Sequence, residues 1–118
     1  RDAVANVRVV PNPYLVTSLT DDGPTRRIMF TGLPASGRIR IFSLSGQFLQ
    51  ELRWNEGDLS RPGAGAQLSA QGDLYYNLRT LEGNLLASGL YLYVVEALDA
   101  DGKVIGRKQG KFVIVQGR

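Results

Sequence analysis

Apolar residues in this chain recur in short runs with a period of two, separated by clusters of turn-forming residues. The longest run covers residues 90–98, Leu-Tyr-Leu-Tyr-Val-Val-Glu-Ala-Leu. Alternation puts Tyr91, Tyr93, Val95 and Ala97 on one face. Leu90, Leu92, Val94 and Leu98 fall on the other, with Glu96 its polar member. A strand that is apolar on both faces predicts a central strand with partial outer cover. Asp101-Gly102 then signals a tight hairpin, and residues 103–115 form the return strand, bulged near Gly106 or Gly110.

The same grammar extends upstream. Val7, Val9 and Val10 predict a first strand over residues 6–10. Pro11 and Pro13 end it, because neither can donate to a ladder, so this segment belongs at a sheet edge. Residues 20–24 are a loop. Residues 27–31 read as a second strand, with Ile28 and Phe30 on one face. In 38–41 the isoleucines Ile39 and Ile41 alternate with Arg38 and Arg40, which predicts isoleucines inward and arginines outward. Gly46 supplies the turn of a hairpin whose second strand, residues 48–54, carries Phe48, Leu52 and Trp54 in phase, with Gln50 as the polar exception. Residues 55–72 hold Gly57, Pro62, Gly63, Gly65 and Gly72 and predict a long loop with one short strand around 66–69. A strand over 74–78 and a connecting loop over 81–89 complete the pass. Helical periodicity is nowhere sustained. The expectation is an all-β fold: an antiparallel two-sheet immunoglobulin-like sandwich of seven or eight strands.

Composition narrows the chemistry. At 118 residues the chain is one domain's worth, residues 1–118 forming a single sandwich. It has no cysteine and no histidine, which excludes disulfides, thiol nucleophiles, Cys/His zinc sites and histidine acid–base catalysis. Thr31, Ser43, Ser45 and Ser88 therefore have no triad partner. Asp99, Asp101 and Gly102 resemble the start of a calcium loop, but the twelfth position, where a bidentate glutamate belongs, is Gly110, so the segment reads as a turn. The net charge is +3, and the basic residues are scattered apart from Arg26-Arg27 and the group Arg107, Lys108 and Lys111, which does not make a nucleic-acid patch. No stretch is long and apolar enough for a membrane helix. No catalytic residue, cofactor or metal is expected, and the chain reads as a monomeric, non-catalytic fragment of a larger polypeptide.

An ordered series of segments carries a family resemblance: Val-x-Pro-Asn-Pro-Tyr at 9–14, Ile-x-Phe-Thr-Gly-Leu-Pro at 28–34, Ile-Arg-Ile-Phe-Ser-Leu-Ser-Gly-Gln at 39–47, Tyr-Asn-Leu-Arg-Thr-x-x-Gly at 76–83, Ala-Ser-Gly-Leu-Tyr-Leu-Tyr at 87–93 and Gly-Lys-Phe-Val-Ile-Val at 110–115. This series resembles the C-terminal immunoglobulin-like or fibronectin-III-like domains of secreted Bacteroidota-type proteins. That group includes the type IX secretion (Por) sorting domains and is related to the Ig-like part of the flagellar hook-capping protein. Tyr76 stands where many relatives carry tryptophan, the 55–72 segment is longer than in compact sorting domains, and Gln116-Gly117-Arg118 follow the last strand.

The resemblance implies a secreted or cell-surface location, reached through the periplasm, and a role in secretion sorting or surface attachment. Its partners would be secretion or envelope machinery, or an upstream domain of the same polypeptide. The surface expected to be read is the last hairpin, with Gly89, Tyr91, Lys103, Arg107, Lys108 and Lys111. Two alternatives stay open: a passive spacer for an upstream enzyme, and a carbohydrate-binding module in which Trp54 and Tyr75 border the loop-rich region as a sugar platform.

Overall fold

The computed structural model describes residues 4–10, 14–16, 28–54, 66–68 and 73–116. Nine strands lie among them: β1 (Arg8–Val10), β2 (Tyr14–Val16), β3 (Ile28–Thr31), β4 (Gly37–Ser43), β5 (Phe48–Trp54), β6 (Ala66–Leu68), β7 (Leu74–Tyr76), β8 (Gly89–Leu98) and β9 (Val104–Gln116). They form a four-stranded sheet, β1-β3-β7-β6, and a five-stranded sheet, β2-β9-β8-β4-β5. The expected two-sheet sandwich is therefore observed. The order is that of an immunoglobulin domain: one sheet corresponds to strands A-B-E-D, the other to G-F-C with an added C′.

All pairings are antiparallel except that of β2, which runs parallel to β9 with Tyr14 opposite Ile114 and Val16 opposite Gln116. The first strand thus changes sheets: β1 pairs β3 in one layer and β2 joins the other. The two prolines at 11 and 13 lie outside the described residues, between these strands. β1 is an edge strand, as the prolines implied, and β2, which the alternation did not predict, lies at the edge of the other sheet. The predicted loop at 20–24 and most of 55–72 also lie outside the described residues; the short strand expected there is β6.

Burial follows the alternation. Ile28 and Phe30 of β3, Leu74 and Tyr76 of β7, Ile39 and Ile41 of β4, and Phe112 and Ile114 of β9 all point into the core with Val95 and Ala97 of β8. The ring of Phe30 meets that of Tyr93 edge-on, with centroids 5.4 Å apart and planes at 74°. The pair joins β3 to β8, the two strands that antibody domains link by a disulfide. In a chain without cysteine, an aromatic contact holds that position. Two residues earlier, the Tyr91 hydroxyl donates to the Ala87 carbonyl at 2.7 Å. This is the tyrosine corner of immunoglobulin-like sandwiches, which ties strand F to the loop before it.

Two departures from simple alternation have a local cause. Phe48 was expected inward with Leu52 and Trp54, yet it is exposed. Ile41 pairs with Gln50 and Phe42 with Phe48, so Leu49 is an extra residue and the bulge turns Phe48 to the outer face. Gln50 is buried because its side chain is satisfied there, donating to the Arg79 carbonyl at 3.3 Å and accepting from the Glu51 amide at 2.9 Å. A second shift leaves Ile105 unpaired between Leu98↔Val104 and Ala97↔Gly106.

Candidate functional site

The β8–β9 hairpin turns on Asp99. Its carboxylate accepts from the amides of Asp101 and Lys103, both at 2.9 Å, and Gly102 takes the left-handed conformation, φ 84°, that closes the turn. The two aspartates therefore form a turn. No cluster of three or more metal-ligating side chains occurs among the described residues.

The six residues expected as one recognition surface separate into different environments. Gly89, Lys103, Arg107 and Lys111 are exposed. Tyr91 is a correction: it is 9% exposed and stacks on Phe112 at 5.5 Å, so it belongs to the core. Its alternation partner set already pointed inward. Lys108 reaches across to the N-terminal segment, where its ammonium donates to the Val7 carbonyl at 2.7 Å. It staples β9 to the residues before β1.

The sugar-platform pair is also corrected. Trp54 is 5% exposed, and its indole N–H donates to the Pro34 carbonyl at 2.8 Å. Gly37, paired with Trp54 across the β4–β5 ladder, leaves room for the ring: a Cβ there would lie 2.8 Å from it. Tyr75 is half-buried in the opposite sheet. The two aromatics do not share a face.

What the structure does assemble is the outer face of the five-stranded sheet. Side chains pointing away from the core line up in cross-strand rows. The first row is Arg107, Glu96, Arg38 and Arg53; the second is Gln109, Val94, Arg40 and Glu51; the third is Lys111, Leu92, Phe42 and Phe48. One end of the face is therefore charged and the other apolar.

At the charged end each carboxylate lies between arginines. Glu96, 8% exposed, accepts from Arg38 Nε at 2.6 Å, and Arg107 Nε lies 3.9 Å from its second oxygen. Glu51 accepts from Arg40 Nε at 3.1 Å and from Arg53. Partial burial raises the Glu51 carboxyl, but the hydrogen bonds from Arg53 and Arg40 outweigh it and hold the group below its ordinary range. At the apolar end, the Phe42 and Phe48 rings pack edge-on at 5.9 Å. A groove of about 540 Å³ opens here, with Leu92 and Val94 as its floor. Phe42 and the hairpin glycine Gly46 lie on one side, and Arg107 and Lys111 on the other. Sequence alternation identified the outward set, but the bulge that adds Phe48 to it left no local signal.

Comparison with known proteins bears on the fold. No family model matches the chain, and no curated protein matches it. Among solved structures, the chain is similar to a stretch of PorZ, described as an essential bacterial surface component of the type IX secretion system of Porphyromonas gingivalis. The identity is 24% and the TM-score 0.60, covering 96% of this chain and 12% of that one. CopC from Methylosinus trichosporium OB3b matches at 20% identity and TM-score 0.49, over 95% of this chain and 93% of that one. The likeness to PorZ establishes a shared β-sandwich fold, and the chain spans about an eighth of PorZ's length. No helix among the described residues is long and apolar enough to cross a membrane.

Proposed function

We propose that this chain is a non-catalytic immunoglobulin-like module of an exported protein, acting in secretion sorting or cell-surface attachment. The observation that carries the reading is that nearly the whole chain superposes on one module-sized part of a type IX secretion component. The ordered motifs from Val9 to Val115 support the same reading. The module presents a folded surface for recognition, and an extracytoplasmic location follows from the role.

The test is export. A reporter fused to residues 1–118 and expressed in a host with a type IX system should reach the medium or the cell surface. Retention in the periplasm at the level of the unfused reporter sinks the proposal.

A second reading, a passive spacer that stabilises an upstream domain, draws on the internal use of two residues expected at the readout surface. Tyr91 serves the core and Lys108 ties down the N-terminal segment. Under that reading, deletion of the domain lowers the yield of the parent protein and leaves its export intact.

A further inference from the structure

The last strand is paired unevenly. At its C-terminal end, β2 lies beside Ile114, Val115 and Gln116. From Val104 to Gly110 its one neighbour among the described residues is β8. Backbone groups that point away from β8 in this stretch form an open sheet edge, which is a template for a strand from another molecule. The stretch begins with Val104 and Ile105, two β-branched residues that are 45% and 56% exposed. Strand-forming, apolar and unpaired on one side, it has the properties of a self-pairing site.

The inward side of the same stretch opposes such pairing. Gly106 lies opposite Ala97, Lys108 opposite Val95 and Gly110 opposite Tyr93, so all three residues of β9 face the core layer. Two of them have no side chain, and the third is a lysine. Lys108 sends its ammonium to the segment before β1, where it donates to the Val7 carbonyl at 2.7 Å and lies 3.5 Å from that of Ala5. Val4 and Val7 are fully buried and hold these carbonyls in place. Lys108 thus links the open edge of β9 to the residues that lead into the edge strand of the other sheet.

A strand added beside β9 widens the five-stranded sheet, and its inward side chains would pack where the ammonium stands. Covering that charge, or pulling it from its carbonyls, is unfavourable without new acceptors. Inward-pointing charges blunt sheet edges in this way. The bulge that leaves Ile105 unpaired acts in the same sense, by breaking the regular register at the start of the strand. The occupant to be kept out is a second copy: two β9 stretches related by a twofold axis run antiparallel and would join two five-stranded sheets into one.

We propose that Lys108 keeps the open half of β9 from pairing with the same strand of a second copy. This is independent of the export reading. The test is sedimentation equilibrium of the 118-residue chain over a wide range of concentration. Lys108→Met should lower the dimer dissociation constant at least about tenfold relative to the parent. Amides between Val104 and Gly110 should gain protection from hydrogen exchange as that variant associates. Lys108→Arg keeps the charge, and Lys103→Met removes one from the exposed hairpin turn; both should sediment like the parent. If Lys108→Met does not fold, Lys108→Gln, which keeps an amide donor without the charge, gives the same reading and should also associate more tightly. The proposal is overturned if the folded neutral variant stays as monomeric as the parent, or if Lys108→Arg or Lys103→Met associates as tightly as Lys108→Met. It is also overturned if the protected amides lie outside β9, or if the parent itself pairs through residues 104–110.

Discussion

Gly110 permits the central aromatic contact of this sandwich, and its replacement by alanine gives a sharp test. Gly110 lies opposite Tyr93 in the β8–β9 ladder. A Cβ at that position would stand 2.3 Å from Tyr93 Cζ, 2.3 Å from its Oη and 2.7 Å from Cε2, where ordinary contact is 3.4–4 Å. The ring must therefore retreat by more than 1 Å. It is held by Phe30, whose edge-on contact crosses between the sheets. Overpacking of this kind costs about 1–3 kcal/mol. The backbone of Gly110 is not left-handed, so alanine also restricts the unfolded chain, a gain of about 0.4–1 kcal/mol. The difference predicts a net destabilisation of about 1–2 kcal/mol, near 4–8 °C in Tm at about 4 °C per kcal/mol for a domain of this size. Urea unfolding followed by the fluorescence of Trp54, the single tryptophan, measures it. The decisive step is a double-mutant cycle. In a Tyr93→Leu background the clash is absent, and Gly110→Ala should become neutral or stabilising. An equal cost in both backgrounds refutes the argument that the ring is the obstacle.

Three further outcomes are expected. Tyr91→Phe should lower stability by about 0.5–1.5 kcal/mol with no change in m-value, because it removes one hydrogen bond at the tyrosine corner and keeps the ring stack; no change in urea midpoint would count against it. Trp54→Ala should destabilise by about 3–5 kcal/mol, so a loss of polysaccharide retention in this variant would have to be accompanied by a loss of folded signal in far-ultraviolet circular dichroism. Glu51 is held below its ordinary pKa in the folded state, so its contribution is full above the unfolded value of 4.5 and is lost as pH falls through the folded value. Stability measured from pH 6 down to pH 3 should therefore decline less steeply in Glu51→Gln than in the parent.

Local alternation carried most of this fold. The inward sets Ile39/Ile41 and Tyr91/Tyr93/Val95/Ala97 were legible because each strand presents one face to the core, and Gly46 and Asp101-Gly102 marked their turns. Phe48 was misassigned because a single extra residue at Leu49 inverts the phase, and nothing in the apolar pattern announces a bulge. Trp54 shows the opposite lesson: its phase with Leu52 already placed it inside, and the aromatic type alone suggested a platform. The parallel pairing of β2 with β9 joins residues a hundred positions apart and has no local signature. The site was harder still. Glu96 in an apolar strand, and Arg38 in an alternating one, were visible as outward polar residues, but their union with Arg107 into one charged row depends on the register of three strands.

The parallel pair has a mechanical consequence. Tension applied from the chain before β1 and after β9 pulls β2 toward its own N-terminal end and β9 toward its C-terminal end. In parallel neighbours these forces run in opposite directions along the strands, so the inter-strand bonds between Tyr14–Val16 and Ile114–Gln116 are loaded together in shear, whereas an antiparallel pair pulled at the same ends would open one bond at a time. The short parallel pair thus resists separation of β2 from β9 as a unit rather than bond by bond.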